Sequence, residues 1–244
     1  MKNYKLEIAY DGSRYFGWEH QPDRETIQGK LEKVLSLMTG EAVEVIGAGR
    51  TDAGVHAKAM TANVHLNTEK SCEEIREYMN HYLPDDIGIT DVRECSDRFH
   101  ARYKAVGKLY TYTLWVGENK PVFERKYVTV LDQVPDVEAM KKAAAYLEGE
   151  HDYKAFCGNP KFNKSSVRIV DRIEIVRKRD RIFLNFHGTG FLQNMVRIMT
   201  GTFLEAGFHR MSPEQVKEAL ESKDRQKAGP TAPASGLCLM KVDY

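Results

Sequence analysis

Along this chain the apolar positions switch repeatedly between a period of two and a period near 3.6, and the switches predict alternating strands and helices. Lys5-Leu6-Glu7-Ile8-Ala9-Tyr10 alternates as a strand and stops at the Asp11-Gly12 turn pair. Ile27, Leu31, Val34, Leu35 and Met38 share one helical face, opened by Thr26 as N-cap and closed by Gly40. Gly29 stands where a capping box would carry Glu or Gln, so that cap is expected to be incomplete. Short strands are predicted over residues 43–46 and 59–66. Cys72–Tyr82 reads as a helix with an acidic first turn, ended by Leu83-Pro84, and residues 87–93 form a further strand.

That order is β-α-β-β-α-β, and the rest of the chain repeats it without a residue-level repeat. A strand over 108–116 and a helix over 137–147 come first, followed by a hairpin of 167–177 and 181–187 about Asp180. An apolar helix over 191–206 is closed by Gly207, a second helix starts at Ser212-Pro213-Glu214 and runs to about residue 222, and a strand over 236–242 closes the chain. The expected fold class is α+β: two ferredoxin-like halves, 1–104 and 105–244, forming a mainly antiparallel sheet with a central cleft as the natural ligand site.

Composition narrows the function classes. With 244 residues, 42% hydrophobic and 10% aromatic, the chain can bury a sizeable core and is not disordered. No apolar run approaches the ~18 residues of a membrane helix, and no secretory signal pattern opens the chain, so a cytoplasmic protein without a membrane partner is expected. Cys72, Cys95, Cys157 and Cys238 form no C-x-x-C pair, which speaks against a zinc site or a disulfide framework. The net charge of +1 hides segregation: residues 69–97 hold nine acids against three bases, 98–126 seven bases against two acids, and 154–181 nine against three. The basic stretches carry Phe99, Tyr103, Tyr110, Tyr112, Trp115, Phe123, Tyr127, Tyr153, Phe156 and Phe162. Cations for phosphates interleaved with rings for bases suit an RNA or DNA partner. Amphipathic strands, charged outside and aromatic inside, would give the same pattern.

The candidate chemistry centres on Gly47-Ala48-Gly49-Arg50-Thr51-Asp52-Ala53-Gly54-Val55-His56-Ala57. Asp52, held in a tight loop beside Arg50 and His56, has the makings of a nucleophile or base, and equally of a turn or capping residue. Three further segments stand out. Arg98-Phe99-His100-Ala101-Arg102-Tyr103 leads to Tyr110, which on pattern alone is an inward strand tyrosine. Gly190-Phe191-Leu192-Gln193-Asn194-Met195-Val196-Arg197 places Arg197 on an apolar helix, where a guanidinium needs a carboxylate or phosphate partner. The last is the Pro- and Gly-bearing loop 228–239.

Together these segments closely resemble the tRNA pseudouridine synthase A family over essentially the whole chain. The matching motifs are Tyr10-Asp11-Gly12, Phe16-Gly17-Trp18 and Gln21, the loop from Gly49 to Ala57, Phe99-His100-Ala101-Arg102, Gly149-Glu150-His151-Asp152-Tyr153, Phe191-Leu192 with Met195-Val196-Arg197, and Ala232-Pro233 with Gly236-Leu237. The resemblance implies a pseudouridine synthase fold and isomerisation of uridine to pseudouridine at positions 38, 39 and 40 of the tRNA anticodon stem-loop, by a homodimer. It implies Asp52 as the essential carboxylate, attacking C1′ or removing the C2′ proton. Tyr110 would stack on the uracil and Arg197 would pair with the catalytic carboxylate. Arg50 would help extrude the target base and Leu237 would wall the pocket, with His56 and Arg102 as further RNA contacts. The reaction moves a bond within one nucleoside and needs no cofactor or metal. The chain departs from the family pattern at Glu19, where glutamine is common, at Asn194, where histidine is common, and at Ala234-Ser235. The alternatives are a paralogue acting on another RNA such as ribosomal RNA, a non-catalytic RNA-binding protein, and a hydrolase using Asp52 and His56 as metal ligands.

Overall fold

A computed structural model describes all residues, Met1–Tyr244, and the chain divides into two compact units: Met1–Val106 with Leu239–Tyr244, and Gly107–Cys238. The first unit contains β1 (Lys2–Tyr10), α1 (Ile27–Thr39), β2 (Val45–Gly47), β3 (His56–Leu66), α2 (Cys72–Tyr82) and β4 (Ile87–Cys95). β1 lies antiparallel between β3 and β4, and β2 pairs antiparallel with β3, which is the ferredoxin-like order 4-1-3-2. Alternate residues of β1, Tyr4, Leu6, Ile8 and Tyr10, are buried, as are Ile27, Leu31 and Leu35 of α1 and Ile75 and Met79 of α2. Each such apolar side chain contributes about 1.5–3 kcal/mol by leaving water.

The helix ends follow the sequence signals. Thr26 accepts from the Gly29 N–H without a reciprocal acid, and Gly40 ends α1 in the left-handed region. Ser71 and Glu74 form a complete capping box on α2.

A buried amide pair ties β1 and β3 to the segment after β4. Asn63 donates to Asn3 Oδ1 (3.1 Å), Asn3 donates to the Ser96 and Phe99 carbonyls (2.9 Å each), and the Ala101 N–H donates to Asn63 Oδ1 (2.8 Å). Tyr244 closes over the same segment: its hydroxyl donates to the Ala101 carbonyl (2.8 Å), its ring lies 5.1 Å from that of Phe99, and Lys5 Nζ sits 4.2 Å above it. The Phe99-His100-Ala101-Arg102 motif is thereby fixed at its backbone, with the Arg102 side chain exposed.

The second unit holds β5 (Gly107–Trp115), β6 (Thr129–Val130), α3 (Val137–Ala145), β7 (Gly149–Asp152), β8 (Val167–Lys178), β9 (Arg181–Gly188), α4 (Met195–Gly207) and α5 (Pro213–Ser222). Its strand order is β5-β9-β8-β7, antiparallel throughout, with β6 parallel to the end of β5. The last strand, β10 (Leu237–Asp243), starts in this unit, and its residues from Leu239 onward belong to the first unit beside β3. Phe186 of β9 stacks on Phe203 of α4 at 6.2 Å, and Tyr112 is fully enclosed. The aromatics of the basic stretches divide accordingly. Tyr110, Tyr112, Tyr153 and Phe156 are core, whereas Tyr103, Phe123 and Tyr127 are exposed.

Three elements differ from the sequence expectation. α4 begins at Met195 rather than 191, because Asn194 takes a left-handed conformation (φ 58°) that interrupts the helix its apolar neighbours suggest. The short strands β6 and β7 lie outside the six-element repeat; two and four residues long, they are too brief to show alternation.

Burial also makes the tyrosines report on the fold. Desolvation pushes the phenols of Tyr15, Tyr112 and Tyr244 up to about 12, and that of Tyr153 further still. A raised phenol favours the neutral folded form. The resulting stability is fully present below the ordinary value of 10.0 and is lost as pH rises through about 12. In a tyrosinate absorbance titration these four should stay silent through pH 10 and ionise together with alkaline unfolding. A titration complete by pH 10.5 in the folded protein would contradict their burial.

Candidate active site

The loop between β2 and β3 carries Arg50, Asp52 and, at the start of β3, His56. Its shape is set by neighbours within the first unit. The Ala48 N–H donates to the Thr61 carbonyl (2.8 Å), and the Val55 N–H donates to the Asp52 carbonyl (3.1 Å), closing a turn at Ala53-Gly54. Thr51 is buried, its hydroxyl 2.8 Å from that of Tyr10. The Trp18 N–H donates to the Thr51 carbonyl (3.1 Å), and the Gly54 N–H to the Tyr15 carbonyl (3.2 Å). The opening motif is thus the bed of the loop. Gly17 makes the approach possible: at φ +90° its α-carbon faces the loop backbone, and a β-carbon would come within 2.6 Å of the Thr51 oxygen. Asp52 is half-buried on this backed loop.

His56 is enclosed, 4% exposed, and its Nδ1 accepts from the Gly12 N–H (3.1 Å). The Asp11 carboxylate lies 3.2 Å from the same ring nitrogen. The ring braces β3 against the turn after β1, and the structure offers no open face of His56 to a nucleic acid. Arg50 is more than half exposed and pairs with Glu19 at 2.5 Å. An exposed pair of this kind is worth about 0–1 kcal/mol, so it orients Arg50 without locking it. No group of three or more His, Cys, Asp or Glu side chains comes together as a metal site would require.

Tyr110, Arg197 and Leu237 lie in the second unit. Tyr110 of β5 is 8% exposed, opposite Phe186 in register, and Phe191 meets its ring edge-on at 5.3 Å and 87°. Arg197, on the first turns of α4, is held at both ends of its guanidinium. Nε donates to the Ala232 carbonyl (2.7 Å) and Nη1 to Asn194 Oδ1 (3.0 Å). The backbone repeats the link, the Ala232 N–H donating to the Arg197 carbonyl (3.1 Å). Loop 228–236 is in turn docked on the helix, where Thr202 accepts from the Gly229 N–H (2.9 Å), and on β5, where Tyr112 donates to the Pro233 carbonyl (2.8 Å). The Ala232-Pro233 motif is therefore the mount of Arg197. Leu237, 4% exposed, follows it at the start of β10.

Asn194 and Glu19 stood in the sequence reading as departures from a family pattern, Asn194 also as the residue one turn before Arg197. Here they are side-chain partners of Arg197 and Arg50. The signal for Asn194 was its residue type, since asparagine tolerates the left-handed backbone that begins this helix. Glu19 gave none, as nothing in the sequence brings it to Arg50. Replacing Asn194 by alanine should remove one of the hydrogen bonds that hold the Arg197 guanidinium. Turnover should fall about tenfold to a hundredfold, as misplacement of a reacting group by about 1 Å does, with RNA affinity within threefold of wild type. Single-turnover kinetics separates the two, and an unchanged rate would show that Arg197 is held in place without Asn194.

Comparison with known proteins gives consistent results. The family described as tRNA pseudouridine synthase matches residues 8–104 and 143–244. The tRNA pseudouridine synthase A of Clostridium kluyveri is 44% identical over 244 residues, and that of Bacillus sp. strain KSM-64 is 45% identical over 245. A protein named tRNA pseudouridine synthase A 2, from Clostridium perfringens, is 44% identical over 244 residues. In all three cases the match covers 100% of both chains. Among solved structures, a chain of a Cbf5-Nop10-Gar1 complex is matched at a TM-score of 0.34 and 12% identity, over 97% of this chain and 58% of that one. With a match to both ends of the chain and to relatives of the same length, this protein belongs to the tRNA pseudouridine synthase family.

Proposed function

We propose that the protein isomerises uridine to pseudouridine in tRNA, at positions 38, 39 and 40 of the anticodon stem-loop, and that it does so as a cytoplasmic homodimer. The observation that carries this reading is the Asp52 loop: a half-buried carboxylate on a backbone braced by the motif residues Tyr10, Gly12, Gly17 and Trp18, in a chain of this family. The N1–C1′ bond must break, the base must turn, and a C5–C1′ bond must form. C5 then loses a proton and N1 carries one, so nothing is gained or lost overall. Asp52 attacks C1′ or takes the C2′ proton. Tyr110 stacks on the uracil and, directly or through a water, takes the proton from C5. The proposal assigns Arg197 to the same uridine, as the cation that keeps a carboxylate ionised. Its mounting on Ala232 and Asn194 supports a role that needs a fixed head group. Extrusion of the target base costs a few kcal/mol, and Arg50, exposed and weakly held, is suited to enter the vacated stack.

A pseudouridine map of total RNA, by carbodiimide labelling and primer extension with and without the gene, tests the reading. Loss confined to the anticodon stem-loop is the expected result. Loss at a ribosomal site would keep the chemistry and change the substrate, and no loss anywhere would leave an RNA-binding protein. Sizing at micromolar concentration tests the dimer, which a monomeric mass would overturn.

A further inference from the structure

Arg168, the second residue of β8, is a cation whose surroundings do not account for it. It is half-buried, and burial draws its guanidinium below the usual arginine value. No carboxylate pairs with it; the only ionisable neighbour that favours its charge is the Cys157 thiol. Nη1 donates to the carbonyls of Ser165 (2.9 Å) and Val167 (2.6 Å), which orients the head and leaves Nε and Nη2 facing elsewhere. Other arginines differ. Arg181 meets Glu124 at 2.7 Å and Arg210 meets Glu205 at 2.6 Å. Arg225, also partly buried without an acid, engages both terminal nitrogens with the Ala228 and Gly229 carbonyls and the Thr231 hydroxyl. A partly desolvated guanidinium with donors to spare and no counter-charge is what an anion site looks like before its anion arrives.

Its position suggests which anion. The stem of Arg168 runs beside Gly190, where a β-carbon would lie 3.9 Å from its Cδ and Nε. The next residue, Phe191, is the ring set edge-on to Tyr110. The loop entering β8 carries exposed Lys154, Lys161 and Lys164, and is stitched to the start of α4 by the Gly158 N–H donating to the Gln193 carbonyl (2.8 Å). We infer that Arg168 grips a backbone phosphate of the bound RNA on the Tyr110 side of the second unit, with these lysines as its electrostatic rim. The inference rests on the proposed RNA substrate. A guanidinium fork matches two phosphate oxygens, and releasing counterions from one phosphate makes the contact salt-dependent.

The test is filter binding of unfractionated tRNA between about 50 and 200 mM salt, the range over which phosphate contacts declare themselves. In Arg168→Gln the affinity should fall about five- to tenfold at the lower salt, and the slope of log affinity against log salt should shrink by about one. Arg168→Lys should keep the wild-type slope. A second measurement needs no variant: phenylglyoxal should modify Arg168 in the free protein, and tRNA should protect it, as read by peptide mass. A folded Arg168→Gln protein with the wild-type slope, or modification of Arg168 undiminished by tRNA, would overturn the assignment alone. Wild-type protein that binds no tRNA would overturn the functional reading itself, and this assignment with it.

Discussion

Asp52→Asn is expected to lower turnover by roughly four orders of magnitude or more, the scale on which removal of a reacting group acts in other enzymes. The substitution is close to isosteric. It leaves the Asp52 carbonyl to accept the Val55 N–H, and it leaves the Thr51–Tyr10 and Trp18–Thr51 contacts that hold the loop. Any change in stability should stay within the roughly 0.5–3 kcal/mol of an ordinary substitution and be small beside the loss of turnover. The affinity for tRNA should change less than threefold. Tritium release from tRNA carrying 5-tritiated uridine measures the turnover, and filter binding the affinity. Residual activity within a hundredfold of wild type would remove Asp52 from the role of reacting carboxylate and leave it a turn residue.

Gly201→Ala should produce a large loss of stability. A β-carbon at this position would fall on the Pro230 carbonyl oxygen, well inside contact distance, and the atom in its way is backbone rather than a mobile side-chain end. Either α4 or loop 228–236 must shift. Overpacking of this kind costs about 1–3 kcal/mol, and for a chain of this size each kcal/mol moves the melting temperature by about 2–4 °C. Loop 228–236 also holds the Ala232 carbonyl that fixes Arg197 Nε, so turnover should fall with stability. Calorimetry and single-turnover kinetics on one preparation give both numbers. A variant as stable and as fast as wild type would show that the loop moves freely on the helix.

Much of this was legible before any coordinates, and the reasons are local. α2 was readable to the residue, because its acidic first turn marks the start and Pro84 forbids its continuation. The start of α4 was not. Phe191 and Leu192 continue its apolar pattern, and only the backbone conformation of Asn194 excludes them. Periodicity records which face is apolar, not where a left-handed residue interrupts it. The family motifs name the candidate site residues as a set, but not the contacts that support them. Gly17 looks like any turn glycine until Thr51 lies against it, and His56 looks like an exposed loop imidazole until Gly12 donates to it. The pairing of Glu19 with Arg50 and the solitude of Arg168 depend on chain segments far apart in sequence, and no pattern of spacing encodes them.

The route of β10 bears on how such a chain is made. The first unit needs Leu239–Tyr244 beside β3, yet all of residues 107–238 must be synthesised before that segment exists. Until then a growing chain carries β3 with the part of its edge beyond β2 uncovered, and Lys5 and Phe99 lack the Tyr244 ring that caps them. An open strand edge is a template for pairing with other chains, so the nascent protein has an interval of exposure that ends only when its final strand is in place. Closure of the first unit therefore requires a contact between residues far apart in sequence, of the kind that forms slowly.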